Sequence, residues 1–514
     1  MIRVIEKTKK IVPYIVIVIL TFIISLTLVS NPFSEVLARH DSSMFTYFGY
    51  AMNNGKIMYT EIFDHKGPII FILNYIGVLL STANFTGVYM IEFLSLFLFF
   101  VFTYWLSKLW LQNYESLIPL IVEAIVLVFF LEGGNLTEEY ALPFIAYSLY
   151  VFIKFYKFNK KIVWYEILFL GISFSIVFLL RANIVSLWVV FCLIILIDFV
   201  QNKEYKDLLK VTLLFLSGVL AVIIPISLYL YSKGALEAGV FQSLVFNFMY
   251  LDSSAEKNEA IRVLYTTISS HHIIALFSVL LALTVYNWKN YTKNEKIFSI
   301  GAILFTMLSF YTSVMSGRDY KHYLMAMIPT MSLPIIFILK ELKKNMSQLK
   351  IIFLFIIILP VMYVYQLNDI YEMIYTTNIA TVNHKDGINE KEQNILNNKN
   401  KNEASLELAK VIKENTKNDD KIYIHRKGGQ LYLLSDRLSS TKYFNLPAID
   451  LNKNQLIGQD FIAEITNADT KLIVLDSNFN NKDKKDVELK FYKYVINNYK
   501  LIFSNEDYFI YKKK

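Results

Sequence analysis

Cysteine is almost absent from this chain of 514 residues, because Cys192 is the only one and it lies inside an apolar run. A single cysteine excludes an intramolecular disulfide framework and a thiolate metal site. The chain also lacks a glycine-rich phosphate loop, which argues against a nucleotide-binding enzyme, and no Ser-His-Asp arrangement stands out. No small-residue cleavage site follows the basic start, so we expect the first apolar stretch to be a retained span.

Apolar residues dominate what is present. They make up 55% of the chain, aromatic residues make up 16%, and the mean hydropathy is +0.41. A soluble domain of this size is less apolar, so the composition predicts a polytopic α-helical membrane protein. The formal net charge of +8 does not indicate a nucleic-acid partner, because lysine and arginine cluster in short loops between apolar runs.

The distribution of these basic loops predicts the topology. The positive-inside rule assigns loops 154–161, 203–210, 289–296 and 340–350 to the cytoplasm. Counting outward from them, we expect a cytoplasmic N-terminus and an extracytoplasmic tail, hence an odd number of crossings of the cell membrane. The eleven candidate spans are 11–30, 88–106, 117–131, 141–157, 164–180, 184–200, 211–231, 272–287, 297–315, 324–340 and 351–367.

A twelfth apolar run, 68–80, would make the number of crossings even. It is shorter than the roughly 20 residues that a spanning helix needs, so we expect it to lie in the outer interface or to re-enter from it. The alternative is that this run crosses the bilayer and one of the other candidates does not.

After residue 367 the composition becomes polar, which predicts three parts of the chain. These are a membrane domain 1–367 with a first outer loop 31–87, a linker 368–402, and an extracytoplasmic α/β domain 403–514. In the last part, periodicity predicts helices over 406–414 and 487–499, strands over 421–425 and 471–476, and a hairpin that joins 501–503 to 508–511.

The first outer loop carries a carboxylate beside basic and hydroxyl side chains. Asp41 follows the first span closely and is flanked by Arg39, His40 and Ser42. Such a carboxylate at a lipid–water boundary is suited to abstracting a proton from a sugar hydroxyl. The alternative is that Asp41 is the N-cap of an interfacial helix over 44–52.

The same loop contains three consecutive ionisable residues, Asp64, His65 and Lys66, directly before Gly67-Pro68. Lys66 is a point charge that could hold a phosphate, and the proline fixes the backbone where the chain returns to the membrane surface. A lysine that only reaches lipid headgroups would not need Asp64 and His65 beside it. The pattern therefore favours a functional site.

The second outer loop contains the paired acids Glu138 and Glu139. They could orient an acceptor or hold a divalent metal ion, because paired acids between spans are costly unless solvated or useful. The alternative is structural, with Thr137 as an N-cap and acids in the first turn of the next helix.

A third outer loop, 316–323, combines arginine, lysine and histidine. Arg318 and His322 are candidates for an anion clamp on a phosphodiester, and Arg181 at the outer end of another span could join them. The alternative is contact with lipid headgroups.

Together, the first span, the loop with Asp41, the Lys66-Gly67-Pro68 run, the acidic second loop and the late His322-Tyr323 pair resemble the GT-C superfamily of membrane glycosyltransferases. The resemblance is greatest to glycosyltransferase family 39-like bacterial enzymes, and it is most specific up to Tyr140. Members take a sugar from a polyprenyl-phosphate carrier and place it on an acceptor outside the cytoplasmic membrane. The resemblance thus implies a polyprenyl-phosphate-linked sugar donor, contact with membrane lipids, and an acceptor in the cell envelope.

The resemblance also implies roles for individual residues. Asp41 matches the catalytic carboxylate of the first loop, Lys66 matches the lysine of the carrier phosphate, and either Glu138 or Glu139 matches the second-loop acid. This chain departs from the family pattern at two places. It has His40-Asp41-Ser42 where members more commonly have an Asp-Glu pair, and Gly67 where they have a proline. These departures leave the donor sugar and any metal requirement open. Arg318 and His322 would help at the phosphate, and the supporting residues are His40, Asp64, His65, Arg181 and Tyr323.

Two alternatives to this enzyme stay open. A flippase or transporter of lipid-linked saccharides would use the same boundary charges without covalent chemistry, although such proteins commonly show paired halves and none are visible here. A polymerase or ligase of envelope polymers is chemically close to the glycosyltransferase.

Overall fold

The computed structural model describes residues 2–38, 40–81, 86–112, 114–249, 254–315, 317–378, 390–446, 451, 454–477, 479 and 486–514. Four strands near the C-terminus follow a largely helical chain; they are β1 (Lys421–Ile424), β2 (Thr470–Asp476), β3 (Tyr499–Ser504) and β4 (Tyr508–Lys513). The α-helices are α1 (Ile2–Ser25), α2 (His40–Asn53), α3 (Pro68–Leu80), α4 (Thr86–Ser107), α5 (Leu117–Leu131), α6 (Thr137–Lys157), α7 (Trp164–Leu180), α8 (Ser186–Gln201), α9 (Tyr205–Ser232), α10 (Leu236–Val240), α11 (Phe246–Met249), α12 (Ser254–Ser270), α13 (Ile273–Tyr286), α14 (Lys293–Val314), α15 (Ser332–Leu342), α16 (Gln348–Met362), α17 (Val364–Asn378), α18 (Glu390–Asn415), α19 (Gln430–Ser435), α20 (Gln455–Asn467) and α21 (Asp486–Asn498).

The chain divides into two compact units, neither of which is continuous in sequence. The membrane unit comprises Met1–Asn31, Tyr89–Tyr229 and Leu251–Tyr375. The C-terminal unit comprises Pro32–Val88, Leu230–Tyr250 and Thr376–Lys514. The sequence grouped the first outer loop with the membrane domain, whereas most of that loop forms one compact unit with the C-terminal α/β part.

A helix or helix pair coincides with each predicted span. In the described part of the chain, four helices are long and apolar enough to cross a membrane, and six if each of two sharply bent pairs counts as one span. The remaining candidates are shorter apolar helices, such as α5 with 15 residues. The multi-span membrane fold is therefore supported, and the number of eleven crossings stays a prediction.

Ion pairs connect the four basic loops that the charge rule assigned to one side. Lys160 contacts Asp198 at 2.8 Å and Glu204 at 2.7 Å, and Lys293 contacts the same Asp198 at 3.0 Å. Lys340 reaches Glu295, two residues after Lys293, at 3.4 Å. These contacts bring the four loops together, as the parity argument requires, and the orientation toward the cytoplasm stays a prediction.

The C-terminal unit contains a four-stranded sheet in the order β1-β2-β4-β3. Strands β1 and β2 are parallel, and the other two pairs are antiparallel. Both predicted strands, the terminal hairpin and helix α21 are confirmed. The hairpin turns at Asn505, whose side-chain oxygen accepts hydrogen bonds from the backbone N–H groups of Asp507 and Tyr508 at 3.0 and 2.8 Å.

Two predicted segments differ in extent from the structure. The segment 368–402, predicted as a linker, is helical in α17 and again from Glu390, where α18 begins, while residues 379–389 lie outside the described ranges. Lysine, glutamate and glutamine favour helix even where no apolar stripe marks one. The apolar run 68–80 forms α3, whose 13 residues span about 20 Å, less than a hydrocarbon core of about 30 Å.

Candidate active site

Asp41 lies in the first turn of α2, which begins one residue earlier, at His40. Its side chain is 39% exposed, and its Oδ1 is 3.2 Å from Nδ1 of His40. The helix predicted from residue 44 therefore exists, but Asp41 is inside it and not its N-cap. A carboxylate in this first turn is stabilised by the positive end of the helix dipole and still meets solvent. Arg39 lies outside the described residues.

Asp64, His65 and Lys66 form a compact turn before α3. The Asp64 Oδ1 atom accepts a hydrogen bond from the Lys66 backbone N–H at 2.8 Å, a local turn that aspartate side chains favour. The ammonium group of Lys66 lies 2.9 Å from His65 Nε2, while His65 Nδ1 lies 4.0 Å from Asp64 Oδ1. Pro68 at the first position of α3 starts the helix directly after this turn.

Two amide side chains that the sequence did not single out hold this turn in place. Gln242 Oε1 accepts a hydrogen bond from the Asp64 backbone N–H at 3.1 Å, and Gln242 Nε2 donates to the Tyr59 carbonyl at 2.8 Å. Asn247 Nδ2 donates to the His65 carbonyl at 3.1 Å. Gln242 lies in a π-helical turn over Phe241–Val245, a type of turn frequent at functional sites.

The Asp64 carboxyl links the two charged groups of the loop electrostatically. Burial raises the pKa of Asp64 above its usual value, the nearby Lys66 ammonium opposes this shift, and the negative charge of Asp41 adds to it. Asp41 and Lys66 thus both lie within interaction range of one buried carboxyl in the C-terminal unit. An acid and a cation held in this way can serve proton abstraction and phosphate binding.

In the membrane unit, Glu138 forms an ion pair with Arg181. Glu138 is 1% exposed, and its second oxygen accepts a hydrogen bond from the Thr137 hydroxyl at 2.7 Å. The Arg181 guanidinium also lies over the Tyr323 ring, 3.6 Å from the centroid. The predicted cap differs by one residue, because α6 begins at Thr137 itself and Leu136 takes the N-cap position. The structure thus joins three predicted residues, Glu138, Arg181 and Tyr323.

His322 pairs with a different acid of the second loop. Its Nδ1 atom lies 2.5 Å from Oε2 of Glu132, and the His322 ring stacks on Tyr320 with centroids 5.6 Å apart. Glu132 was part of the acidic loop in the sequence but was not proposed as a site residue. Arg318 is half-buried four residues before His322, while Ser316 lies outside the described residues.

Glu139 points into the interior, where it meets a second buried acid. Its carboxyl interacts with that of Glu92, which accepts hydrogen bonds from the Ser30 hydroxyl and the Asn135 backbone N–H. Both acids are fully buried. Each of the paired acids therefore has its own partner, because Glu138 contacts Arg181 and Glu139 contacts Glu92.

A strained loop separates these acids from α5. Glu132, Gly133, Gly134 and Asn135 have consecutive positive φ values of 47°, 93°, 88° and 56°. A Cβ atom on Gly134 would lie 2.3 Å from Glu92 Oε1, so only glycine fits there. A positive φ is costly for the non-glycine residues Glu132 and Asn135, and such conformations concentrate at functional sites.

The candidate residues thus form one group in each unit. His40, Asp41, Asp64, His65 and Lys66 belong to the C-terminal unit, whereas Glu138, Glu139, Arg181, Arg318, His322 and Tyr323 belong to the membrane unit. Within the described ranges, no group of three or more histidine, cysteine, aspartate or glutamate side chains is arranged to hold a metal ion.

Solved structures of two other proteins share the fold of this chain. Crystal structures of ArnT from Cupriavidus metallidurans match with a TM-score of 0.60 and 11% identity when bound to undecaprenyl phosphate, and 0.61 and 10% in the apo state. In both comparisons 98% of each chain is covered. The archaeal oligosaccharyltransferase AglB from Archaeoglobus fulgidus, in complex with an inhibitory peptide and a dolichol-phosphate, matches with a TM-score of 0.52, 13% identity and 91% of this chain against 70% of its own.

These matches confirm the fold expected from the resemblance, that of the GT-C superfamily of membrane glycosyltransferases. No curated protein matches the sequence. The family model described as "Putative competence-induced protein Ccs4 N-terminal domain" matches residues 5–377, which is most of the chain. The chain therefore belongs to the competence-induced Ccs4 family.

Proposed function

We propose that this protein is an inverting glycosyltransferase that moves a sugar from a polyprenyl-phosphate carrier to an acceptor hydroxyl at the outer face of the cytoplasmic membrane. The observation that carries the proposal is the loop group of the C-terminal unit, in which Asp41 lies partly exposed in the first turn of α2 and the Lys66 ammonium is held 2.9 Å from His65 Nε2. This group supplies a partly exposed carboxylate and an ammonium, the two charges that the reaction needs.

The fold supports the same proposal. ArnT, which matches over 98% of both chains, was crystallised with undecaprenyl phosphate, and AglB was solved with a dolichol-phosphate. Both ligands are polyprenyl phosphates, so a fold of this type accommodates such a carrier. An identity of 11% carries the fold but not the donor sugar or the acceptor.

In the proposed reaction, Asp41 takes the proton of the acceptor hydroxyl as that oxygen attacks the anomeric carbon. The bond between the anomeric carbon and the phosphate oxygen breaks on the opposite face, and the carrier phosphate leaves with the electron pair. Lys66 neutralises the developing phosphate charge, with His65 and Asp64 fixing its position. His40, beside Asp41, would tune the carboxylate.

The candidate residues of the membrane unit offer further groups for substrate binding within that unit. Of the two acids, Glu138 is the better candidate for the acceptor, because it is held by Arg181 at a helix end, whereas Glu139 is engaged with Glu92 in the interior. Arg318 and His322 stay candidates for an anion clamp within the membrane unit, because their basic side chains are suited to a phosphate. The metal role that the sequence left open for Glu138 and Glu139 is not part of the proposal, because Glu138 contacts Arg181 while Glu139 contacts Glu92.

The test is transfer of label from radiolabelled polyprenyl-phosphate sugars to endogenous acceptors in membranes that contain the protein. We expect transfer by the wild type from one donor of the panel, and a loss of about 100-fold or more in Asp41→Asn, because general-base catalysis contributes about 10²–10⁴-fold. Amounts of folded protein are equalised by fluorescence-detected gel filtration.

The matched control is Asp469→Asn, since Asp469 is an exposed aspartate of the same unit that pairs with Lys513 at 2.8 Å. This variant should transfer at the wild-type rate. Undiminished transfer by Asp41→Asn would overturn the role of Asp41. Failure of the wild type with every donor, together with movement of the intact carrier across the bilayer, would favour a flippase.

A further inference from the structure

The face of α2 next to Asp41 is packed against the C-terminal α/β part of its own unit. Tyr47 is 2% exposed, and its ring contacts those of Tyr432 and Phe444, with centroids 4.9 and 4.5 Å away. The Tyr47 hydroxyl accepts a hydrogen bond from the Ser439 backbone N–H at 2.8 Å. One turn further on, the Tyr50 hydroxyl donates to Asp436 at 2.8 Å. The helix that bears Asp41 is thus fixed at several points.

The first turn of α2 is held by a second contact, at a Gly-Gly turn after β1. The Ser43 hydroxyl donates to the His40 carbonyl at 2.8 Å and accepts from the Gly429 backbone N–H at 3.1 Å. A Cβ atom on Gly429 would lie 2.1 Å from the Ser43 carbonyl oxygen. Gly428 has a φ of +68°, and a Cβ atom there would lie 3.2 Å from the His40 carbonyl oxygen. Only glycine lets the two backbones approach this closely.

The turn that carries Lys66 is anchored on the same α/β part. Phe63 donates its backbone N–H to the Lys442 carbonyl at 2.9 Å, and its ring contacts Tyr443 with centroids 4.8 Å apart. Phe63 is 3% exposed and belongs to the hydrophobic core that also contains Tyr423, Phe461 and Phe491. The next residue in the chain is Asp64. Phe63 therefore ties the turn of Lys66 to this core, whereas Ser43 and Tyr47 tie the helix of Asp41 to the segment 429–444 of the same α/β part.

We propose that the C-terminal α/β part positions the reacting groups of the first loop, with Ser43, Gly429 and Phe63 as positioning residues for Asp41 and Lys66. The inference rests on the proposed transferase function and gives the C-terminal part a role in it. Ser43 and Gly429 act through the first turn of α2, and Phe63 acts through the turn that holds Lys66. A displacement of about 1 Å at a reacting group can cost about 100-fold in rate.

The experiment compares kcat and KM for the polyprenyl-phosphate sugar in Gly429→Ala and Ser43→Ala, using the full-length protein in membranes. In Gly429→Ala the new methyl group must push the first turn of α2 away, and we expect kcat to fall by about 100-fold while the donor KM changes by less than about threefold. Ser43→Ala, which loses the bridging hydroxyl without a collision, should show a smaller fall in kcat.

The matched control is Ser435→Ala. Ser435 is also a fully buried serine, but its hydroxyl donates only to the carbonyls of Leu431 and Tyr432 in its own helix. It should lose thermal stability as Ser43→Ala does and keep the wild-type kcat. If Ser43→Ala and Gly429→Ala both keep the wild-type kcat per folded molecule while Asp41→Asn is inactive, the positioning proposal is overturned and the proposed transferase function is not. Wild-type activity of Asp41→Asn would instead overturn the proposed role of Asp41.

Discussion

At the scale of single residues, the candidate site contains a carboxyl that the fold buries. Asp64 is 7% exposed, and burial raises its pKa in spite of the opposing Lys66 ammonium. A folded state in which this pKa is raised binds the proton more tightly than the unfolded chain does. The contribution of Asp64 to stability is therefore complete below its ordinary pKa and is lost as the pH rises through the raised value.

This sign leads to a prediction for Asp64→Asn. The amide keeps the oxygen that accepts from the Lys66 N–H but cannot ionise, so it avoids the cost of burying a charge. We expect the melting temperature of the variant, relative to the wild type, to be higher at about pH 8 than at about pH 4. The measurement is thermal unfolding in detergent at both pH values. A difference in melting temperature that is the same at both pH values, or larger at about pH 4, would contradict a buried Asp64 carboxyl with a raised pKa.

The candidate residues predicted from the sequence are charged, whereas the residues that support them in the structure are not. Asp41 and Lys66 carry charge beside an apolar segment, which single-sequence analysis detects. Gln242 and Ser43 are uncharged, and their partners lie 178 and 386 residues away in the chain. Contacts of such separation leave no local pattern, so the support of the site could not be predicted.

At the scale of elements, the turn between α5 and α6 is constrained by its backbone conformation and by a buried acid. Its four consecutive left-handed residues wrap the Glu92 carboxylate, which accepts a hydrogen bond from the Asn135 N–H. The apolar runs on either side predicted both helices correctly. The acids at the start of α6 suggested a cap or a site, but the partners Glu92 and Arg181 depend on how the helices pack, which the sequence does not encode locally.

Gly134→Ala tests this turn. Gly134 has a φ of +88°, and a methyl group there would collide with Glu92, whereas Gly55 has a φ of +84° and open space around it. In both alanine variants the backbone strain costs about 1 kcal/mol, but only Gly134→Ala also disturbs a buried carboxylate. We expect its melting temperature to fall by several degrees more than that of Gly55→Ala. Equal losses in the two variants would mean that the Glu92 contact contributes nothing.

At the scale of the whole molecule, composition was enough to predict a membrane protein with several spans. The family resemblance was enough to predict the GT-C fold. Composition did not indicate how the chain divides, because the first loop joins a unit whose other parts begin at Leu230 and Thr376. Helix length does not fix the number of spans, since α5 and α7, with 15 and 17 residues, are shorter than the roughly 20 residues that cross a membrane.

A labelling experiment tests the predicted topology. The chain has one cysteine, so Cys192→Ser gives a background in which single cysteines can be introduced. With eleven spans, an impermeant maleimide added to intact cells should label Glu506→Cys in the terminal hairpin and spare Asn345→Cys after α15, both exposed positions. Opening the cells should make both react. Labelling of Asn345→Cys in intact cells, or protection of Glu506→Cys, would contradict the predicted topology of eleven spans with a cytoplasmic N-terminus.

The central claim is that the protein breaks the bond between a sugar and its carrier phosphate with Asp41 as the base. The most direct measurement is the amount of sugar-free polyprenyl phosphate released by purified protein in vesicles, counted against sugar transferred to acceptor. We expect one carrier to be released per sugar transferred, an inverted anomeric configuration in the product, and neither product with Asp41→Asn. Carrier that crosses the vesicle membrane with its sugar still attached, and no released polyprenyl phosphate, would contradict it.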